Sequence, residues 1–309
     1  MMEEGKVLPG ALADRRLERS WERCLESGKE PQQEVSFDII APEALRRTLE
    51  ANRLLVRAAR PVLEKLGRAI AGTRYFALLT DEHGVVVDVN GAYDRRDRRA
   101  DLITRIGTDL SELHIGTSAI SVALSEQVPV WLHQSEHFFD ANSVYSCAGA
   151  PLFGPDGNCV GMLDLTGIEA TERPELKHLA SQSARSIENA LMLSRLDSRS
   201  GLLIRLNWPG SRLEADTDGL ICLDTDGLVT GANQTARQMV PQLGRPAGTP
   251  LHCSDLFAMA FEMLFDAAQL PDSGWASAME VPLWSGLRLQ ALPVLPGQGD
   301  ILAAMPVQA

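Results

Sequence analysis

Long apolar runs are missing from this chain of 309 residues, and no stretch approaches the roughly 20 apolar residues that a bilayer-crossing helix needs. The opening Met1-Met2-Glu3-Glu4-Gly5-Lys6 runs into a charged stretch, with no apolar core of signal-peptide length. Cysteine is scarce and scattered. Cys24, Cys147, Cys159, Cys222 and Cys253 contain no Cys-x-x-Cys pair, which argues against a disulfide or zinc framework and predicts reduced thiols. These absences predict a soluble, cytoplasmic protein with no membrane association. Positive charge is also in deficit: 29 Lys and Arg against 41 Asp and Glu give a net charge of −12. Such a balance creates no general field for phosphates, so direct nucleic-acid binding by this chain is not expected. Neither a G-x-x-x-x-G-K-[ST] phosphate loop nor a basic recognition-helix pattern occurs, which removes the usual apparatus for ATP hydrolysis. The Ser146-Cys147 pair lacks the strand–elbow–helix context of a nucleophile. No catalysis and no cofactor are expected.

What the chain does have is the material for two cores. Apolar residues make up 45% and charged residues 23%, an ordinary globular balance, and the length suits about two domains. Residues 14–28 predict an amphipathic helix with Leu17, Trp21, Cys24 and Leu25 on one face and Gly28 as its stop. From 42 to 71, Leu49, Val56, Leu63 and Ile70 recur every seven residues, as do Leu45, Asn52, Ala59 and Leu66. That stripe fits either a helix packed on its own domain or a parallel dimer in which Asn52 selects register; Pro61 on the outer face should bend it. Hairpins are predicted over 74–90 and 148–165, a short helix over 119–125, a strand over 128–132, and a second long helix over 174–196. The arginines of Arg95-Arg96-Asp97-Arg98-Arg99 alternate with acids and predict a self-paired, solvated surface. A composition shift at Asn207-Trp208-Pro209-Gly210-Ser211 predicts a boundary. Beyond it come a hairpin over 219–230, a short helix capped by Asn233, and strands over 279–284, 287–293 and 301–306. The fold class expected is α+β, in two small domains: 1–206, an antiparallel sheet bracketed by long helices, and 207–309.

A ligand cavity needs an apolar lining with a few placed polar groups. The stretch from 113 to 138 offers that mixture in His114, Thr117, Ser118, Ile120, Trp131, His133, Glu136, His137 and Phe138, and Cys147 and Asp164 could face the same space. Trp131 and Phe138 would supply area, and His133, His137 and Thr117 hydrogen bonds to a hydroxyl or carbonyl. These side chains equally suit core packing and loop capping. His133 and His137 stand four apart, so on a helix they would share a face, and with Cys147 and Asp164 they could form a metal or gas-sensing site. The strand pattern of Val128–Leu132 argues against that helix, and no metal is expected.

Five segments carry a family likeness. Ser20-Trp21-Glu22-Arg23-Cys24, Gly116-Thr117-Ser118-Ala119-Ile120, Glu136-His137-Phe138, Cys147-Ala148-Gly149-Ala150-Pro151-Leu152 and Gly161-Met162-Leu163-Asp164-Leu165-Thr166-Gly167 occur in the order and spacing of one family. They resemble the sensory region of the acetoin catabolism regulators, sigma-54-dependent bacterial activators. The resemblance covers residues 14–200 and implies a GAF-like domain; residues 212–306 look like the PAS-type domain that often follows. Ser118 and Ser121 depart from the family's Asn and Gly, and Val122 replaces Thr, so the ligand need not be acetoin. The resemblance implies a regulatory module that binds a small organic effector. It also implies a homodimer through helices 42–71 and 174–196 and signalling to the transcription machinery. The ATPase and DNA-binding module would then lie on another segment or chain. The open alternatives are a metal- or gas-sensing version and a ligand-free protein-interaction module.

Overall fold

The computed structural model describes residues 14–196, 200–211, 213, 216–245, 249–269 and 278–296. The chain divides into two compact units, Met1–Leu152 with Cys159–Ala184, and Phe153–Asn158 with Arg185–Ala309. Each holds a five-stranded antiparallel sheet with helices, a mixed α/β architecture.

The first unit opens with α1 (Arg15–Glu26), started by the Asp14 carboxylate, which accepts from the Arg16 amide. Leu17, Trp21 and Cys24 are buried as the stripe predicts, but Leu25 is 54% exposed. The expected long helix is two, α2 (Pro42–Ala51) and α3 (Arg53–Ala69). The interruption falls at Asn52, whose side-chain NH2 donates to the Thr48 carbonyl. Pro61 lies inside α3 on its exposed face. Leu63, Leu66, Ala59 and Ile70, which a dimer seam would need, are buried within their own chain.

The sheet is built from β1 (Tyr75–Asp81), β2 (Val86–Asn90), β3 (Val130–His133), β4 (Tyr145–Phe153) and β5 (Cys159–Ile168), in the order β2-β1-β5-β4-β3. Between β2 and β3 lie α4 (Arg98–Ile103), α5 (Glu112–Ile115) and α6 (Ala119–Glu126). Register assigns the faces. Phe76 pairs with Thr166 and Leu78 with Asp164, while Leu132 pairs with Cys147. Paired residues share a face, and neighbours along a strand do not. One face therefore carries Phe76, Leu78, Leu132, Cys147, Met162, Asp164 and Thr166, with α6 upon it. The apolar members of that face form one core with Ile103, Leu110, Ile115, Ala119 and Ile120. α6 sits so close that a Cβ on Gly149 would lie 2.8 Å from the Ala119 carbonyl oxygen. The opposite face carries Tyr75, Trp131, His133 and Ser146. α7 (Leu176–Ser194) follows β5, and the division between units falls within it.

The second sheet comprises β6 (Ser200–Asn207), β7 (Gly219–Asp224), β8 (Val229–Ala232), β9 (Met279–Pro282) and β10 (Arg288–Val294), in the order β8-β7-β6-β10-β9. Alongside it are α8 (Gln234–Met239), α9 (Cys253–Leu256) and α10 (Glu262–Gln269). β6 pairs with both β7 and β10 at the centre of this sheet. The composition shift at 207–211 thus marks the connection after a central strand, and the sheet begins before the boundary drawn at 207. Asn233 caps α8 by accepting from the Ala236 amide at 2.8 Å. The strand expected over 301–306 lies outside the described residues. Among the described residues no helix is long and apolar enough to cross a membrane.

Candidate functional site

The loops between α5 and β4 lie over the face that carries Asp164. Gly116 ends α5 at φ +66°, a conformation that favours glycine, and a Cβ there would lie 3.0 Å from the Phe138 side chain. Thr117 is fully buried. Its hydroxyl is hydrogen-bonded to that of Ser20 at 2.9 Å, and its carbonyl accepts the Phe138 amide at 3.2 Å. Ser118 then starts α6 through a reciprocal capping box with Ser121, two of the three positions where the sequence departs from its family likeness. α1 closes this layer from outside. The Arg23 guanidinium grips the Glu112 carboxylate through two bonds of 2.8 and 2.9 Å, Ser20 also bonds Glu112, and the Trp21 indole donates to the Glu136 carbonyl. Trp21 meets Phe138 edge-on at 5.0 Å.

Beneath the loops is a small cavity of about 30 Å³, partly open to solvent. Its walls are apolar at Leu78, Ile103, Leu110, Ile115 and Ile120, and polar at Ser118, His137, Asn142, Tyr145, Cys147, Asp164 and Thr166. Burial dominates the chemistry. It pushes the Asp164 carboxyl up to about 6, against the help of Thr166, whose hydroxyl donates to Oδ2. It holds His137 neutral, with its pKa brought down to about 4. It raises the Cys147 thiol well above its usual value, with the nearby Asp164 adding to the effect. Such a thiol is unreactive at neutral pH.

Of the residues expected from the sequence, Ser118, Ile120, His137, Cys147 and Asp164 line the cavity. Thr117 and Phe138 are buried in the layer above it, and Glu136 accepts the His133 amide. His114 is on the surface beside Asp109 and Ser111. Trp131 and His133 are on the other side of the sheet, stacked on each other with their ring centres 6.2 Å apart, and His133 Nδ1 bonds the Ser146 hydroxyl at 2.7 Å. β3 alternates, so burial of Val130 and Leu132 sends Trp131 and His133 the opposite way. For the same reason His133 and His137 do not converge, and among the described residues no cluster of three or more His, Cys, Asp or Glu could hold a metal ion. The sequence reading missed Asn142 and Tyr145, which sit in or after a 3₁₀ turn (Asp140–Asn142) with no periodic signal. Thr166 was readable, standing two residues beyond Asp164 on one strand face.

A second, wider groove of about 690 Å³ lies among Arg74, Tyr93, Asp94 and Asp97. The charges around it are self-paired: Arg99 bridges Asp97 at 2.8 Å and Glu169 at 2.7 Å, and that pairing lowers the Asp97 carboxyl to about 2.

Comparison with known proteins places this arrangement. The chain is 32% identical over 281 residues to the acetoin catabolism regulatory protein of Cupriavidus necator, covering 86% of this chain and 40% of that protein. It is 28% identical to the acetoin dehydrogenase operon transcriptional activator AcoR of Bacillus subtilis, covering 76% and 38%. With the propane 2-monooxygenase operon transcriptional activator MimR of Mycolicibacterium smegmatis it shares 27% identity, covering 64% and 33%. These relatives are transcription regulators rather than enzymes, and the chain spans about two fifths of the length of the first two. Among solved structures, the Escherichia coli DhaR(N)–DhaL complex contains a chain of similar fold, with a TM-score of 0.55 at 16% identity over 92% of this chain and all of that one. The MimR N-terminal domain model matches residues 1–189, well over half of the sequence, so the chain belongs to that family.

Proposed function

We propose that the chain is the sensory, regulatory part of an operon transcriptional activator, with a GAF-like first unit that binds a small organic effector and a PAS-like second unit. One observation carries this reading. The cavity under the α5–β4 loops is lined by both apolar and polar side chains, and three buried polar atoms of its lining residues find no partner among the described residues: His137 Nε2, Asn142 Oδ1 and Asp164 Oδ1. Buried polar atoms left without a partner are costly, and a polar guest would repair them.

The route outward is short. The loops that roof the cavity, 112–118 and 136–142, are the ones that α1 grips through Arg23, Ser20 and Trp21. An occupant that favours one packing of this roof biases α1, and it can do so only by its difference in affinity between two states, typically about 1–3 kcal/mol. The transcription machinery, with an ATPase and DNA-binding module, is the proposed recipient.

The test is a thermal-shift screen of small organic molecules on the whole chain, set beside Ile120→Trp, which fills the cavity. Concentration-dependent stabilisation of the unaltered chain that vanishes in the variant supports sensing. Hits that stabilise both equally, or an absence of hits, would leave only a docking scaffold. That second reading, partner-protein binding, draws on DhaR(N), whose structure is a complex with DhaL, and on the exposed Trp284 and Leu287 beside the β9–β10 turn of the second unit.

A further inference from the structure

The hydrogen-bonding sense of the cavity narrows what it can hold. His137 Nδ1 lies 2.9 Å from the Gln134 carbonyl oxygen. A carbonyl only accepts, so Nδ1 carries the hydrogen and Nε2 presents a bare lone pair. Asn142 donates its amide NH2 to the Ile115 carbonyl at 3.2 Å, which leaves Oδ1, another acceptor. Asp164 Oδ2 takes the Thr166 hydroxyl, which leaves Oδ1.

The donors on the same walls are already engaged. The Cys147 thiol points to Thr166 Oγ1, the Thr166 hydroxyl to Asp164, the Ser118 hydroxyl to Ser121 and the Tyr145 hydroxyl to the Arg99 carbonyl. Among the described residues no lysine or arginine lines the space. Each of the three orphaned atoms can therefore act as an acceptor, and no cation stands by to balance an anion.

We propose that this cavity selects a small uncharged molecule bearing at least two hydroxyl groups, recognised through the hydrogens it donates to His137 Nε2, Asn142 Oδ1 and Asp164 Oδ1. The inference rests on the sensing reading above and refines it: a ketone or carboxylate brings only acceptors and would face three lone pairs. An ammonium ion brings donors, but it would leave water for a buried site with a single carboxylate to meet it.

The decisive experiment compares four-carbon probes by thermal shift on the full chain: 2,3-butanediol, 2-butanone, butanoate and 2-aminobutane. The diol should reach half-maximal stabilisation at a concentration at least about tenfold below the ketone, as one or two extra hydrogen bonds imply. Butanoate should do nothing. Asp164→Asn supplies a second arm: with its amide oxygen receiving Thr166, its NH2 turns one acceptor into a donor, and the preference should move toward 2-butanone. Should the ketone or butanoate match the diol on the unaltered chain, the donor rule is wrong, and the panel decides this even if the variant fails to fold. A winning amine removes the uncharged ligand. If no probe acts, the inference falls, while hits elsewhere in the broad screen would keep the sensing reading alive.

Discussion

Burial puts Asp164, His137 and Glu188 out of their ordinary titration ranges, and each leaves a mark on stability against pH. Glu188, on α7, accepts the Phe153 amide at 2.9 Å, and burial pushes its carboxyl from 4.5 up to about 7. The folded state therefore binds more protons than the unfolded state between those values, and its stability falls as pH rises through that window. Glu188→Gln should remove this slope, making the variant more stable than the parent by roughly 1–3 kcal/mol above pH 7 and similar to it near pH 4.5. Urea melts at a series of pH values measure it, and a constant difference between the two proteins would refute the assignment. His137 has the opposite sign: its pKa drops from 6.5 to about 4 on folding, so stability is lost as pH falls through that range. His137→Gln should flatten that acid limb.

At the scale of elements, the telling comparison is between α1 and β3. The stripe of α1 was legible because helical periodicity names a buried face, and Leu17, Trp21 and Cys24 lie on it. The partners of that face were not legible: Glu112 is 89 residues from Arg23, and Glu136 is 115 residues from Trp21. Trp21→Phe keeps the ring and loses the bond to the Glu136 carbonyl, so about 1 kcal/mol of stability should go. Glu112→Ala should cost more, since it leaves Arg23 and Ser20 without their acceptor; chemical denaturation ranks the two. Gly149→Ala should destabilise by roughly 1–3 kcal/mol by pressing α6 away from β4, and a neutral result would contradict the close approach of Ala119. For β3 the reading from sequence grouped Trp131 and His133 with His137, although Val130 and Leu132 already announced an alternating strand. Strand period, applied residue by residue, would have separated them.

For the molecule as a whole, the apolar stripes read as dimer seams are largely buried in the chain's own cores. On α3 these are Ala59, Leu63 and Leu66, and on α7 Leu176, Ala180 and Ile187. Leu49 on α2 and Leu54 at the start of α3 remain 37% and 43% exposed, with Ile39 at 48%. Of the homodimer expected through helices 42–71 and 174–196, self-association is accordingly proposed where α2 meets α3, at Leu49 and Leu54. Leu49→Glu with Leu54→Glu should leave the melting temperature within about 2 °C and abolish any dimer seen by light scattering. A dimer that survives both substitutions would place the contact elsewhere.

The local pattern of residues by itself determined the alternation of sheets and helices, the cap at Asn233, the glycine turns and the family likeness, because each depends on neighbours a few positions apart. Tertiary structure decided which side of the first sheet each polar residue takes and brought Asn142 and Asp164 into the lining of one cavity. It also left three polar atoms without partners among the residues that line one hollow. Those outcomes depend on strand register and on pairings up to about a hundred residues apart, which no local pattern encodes.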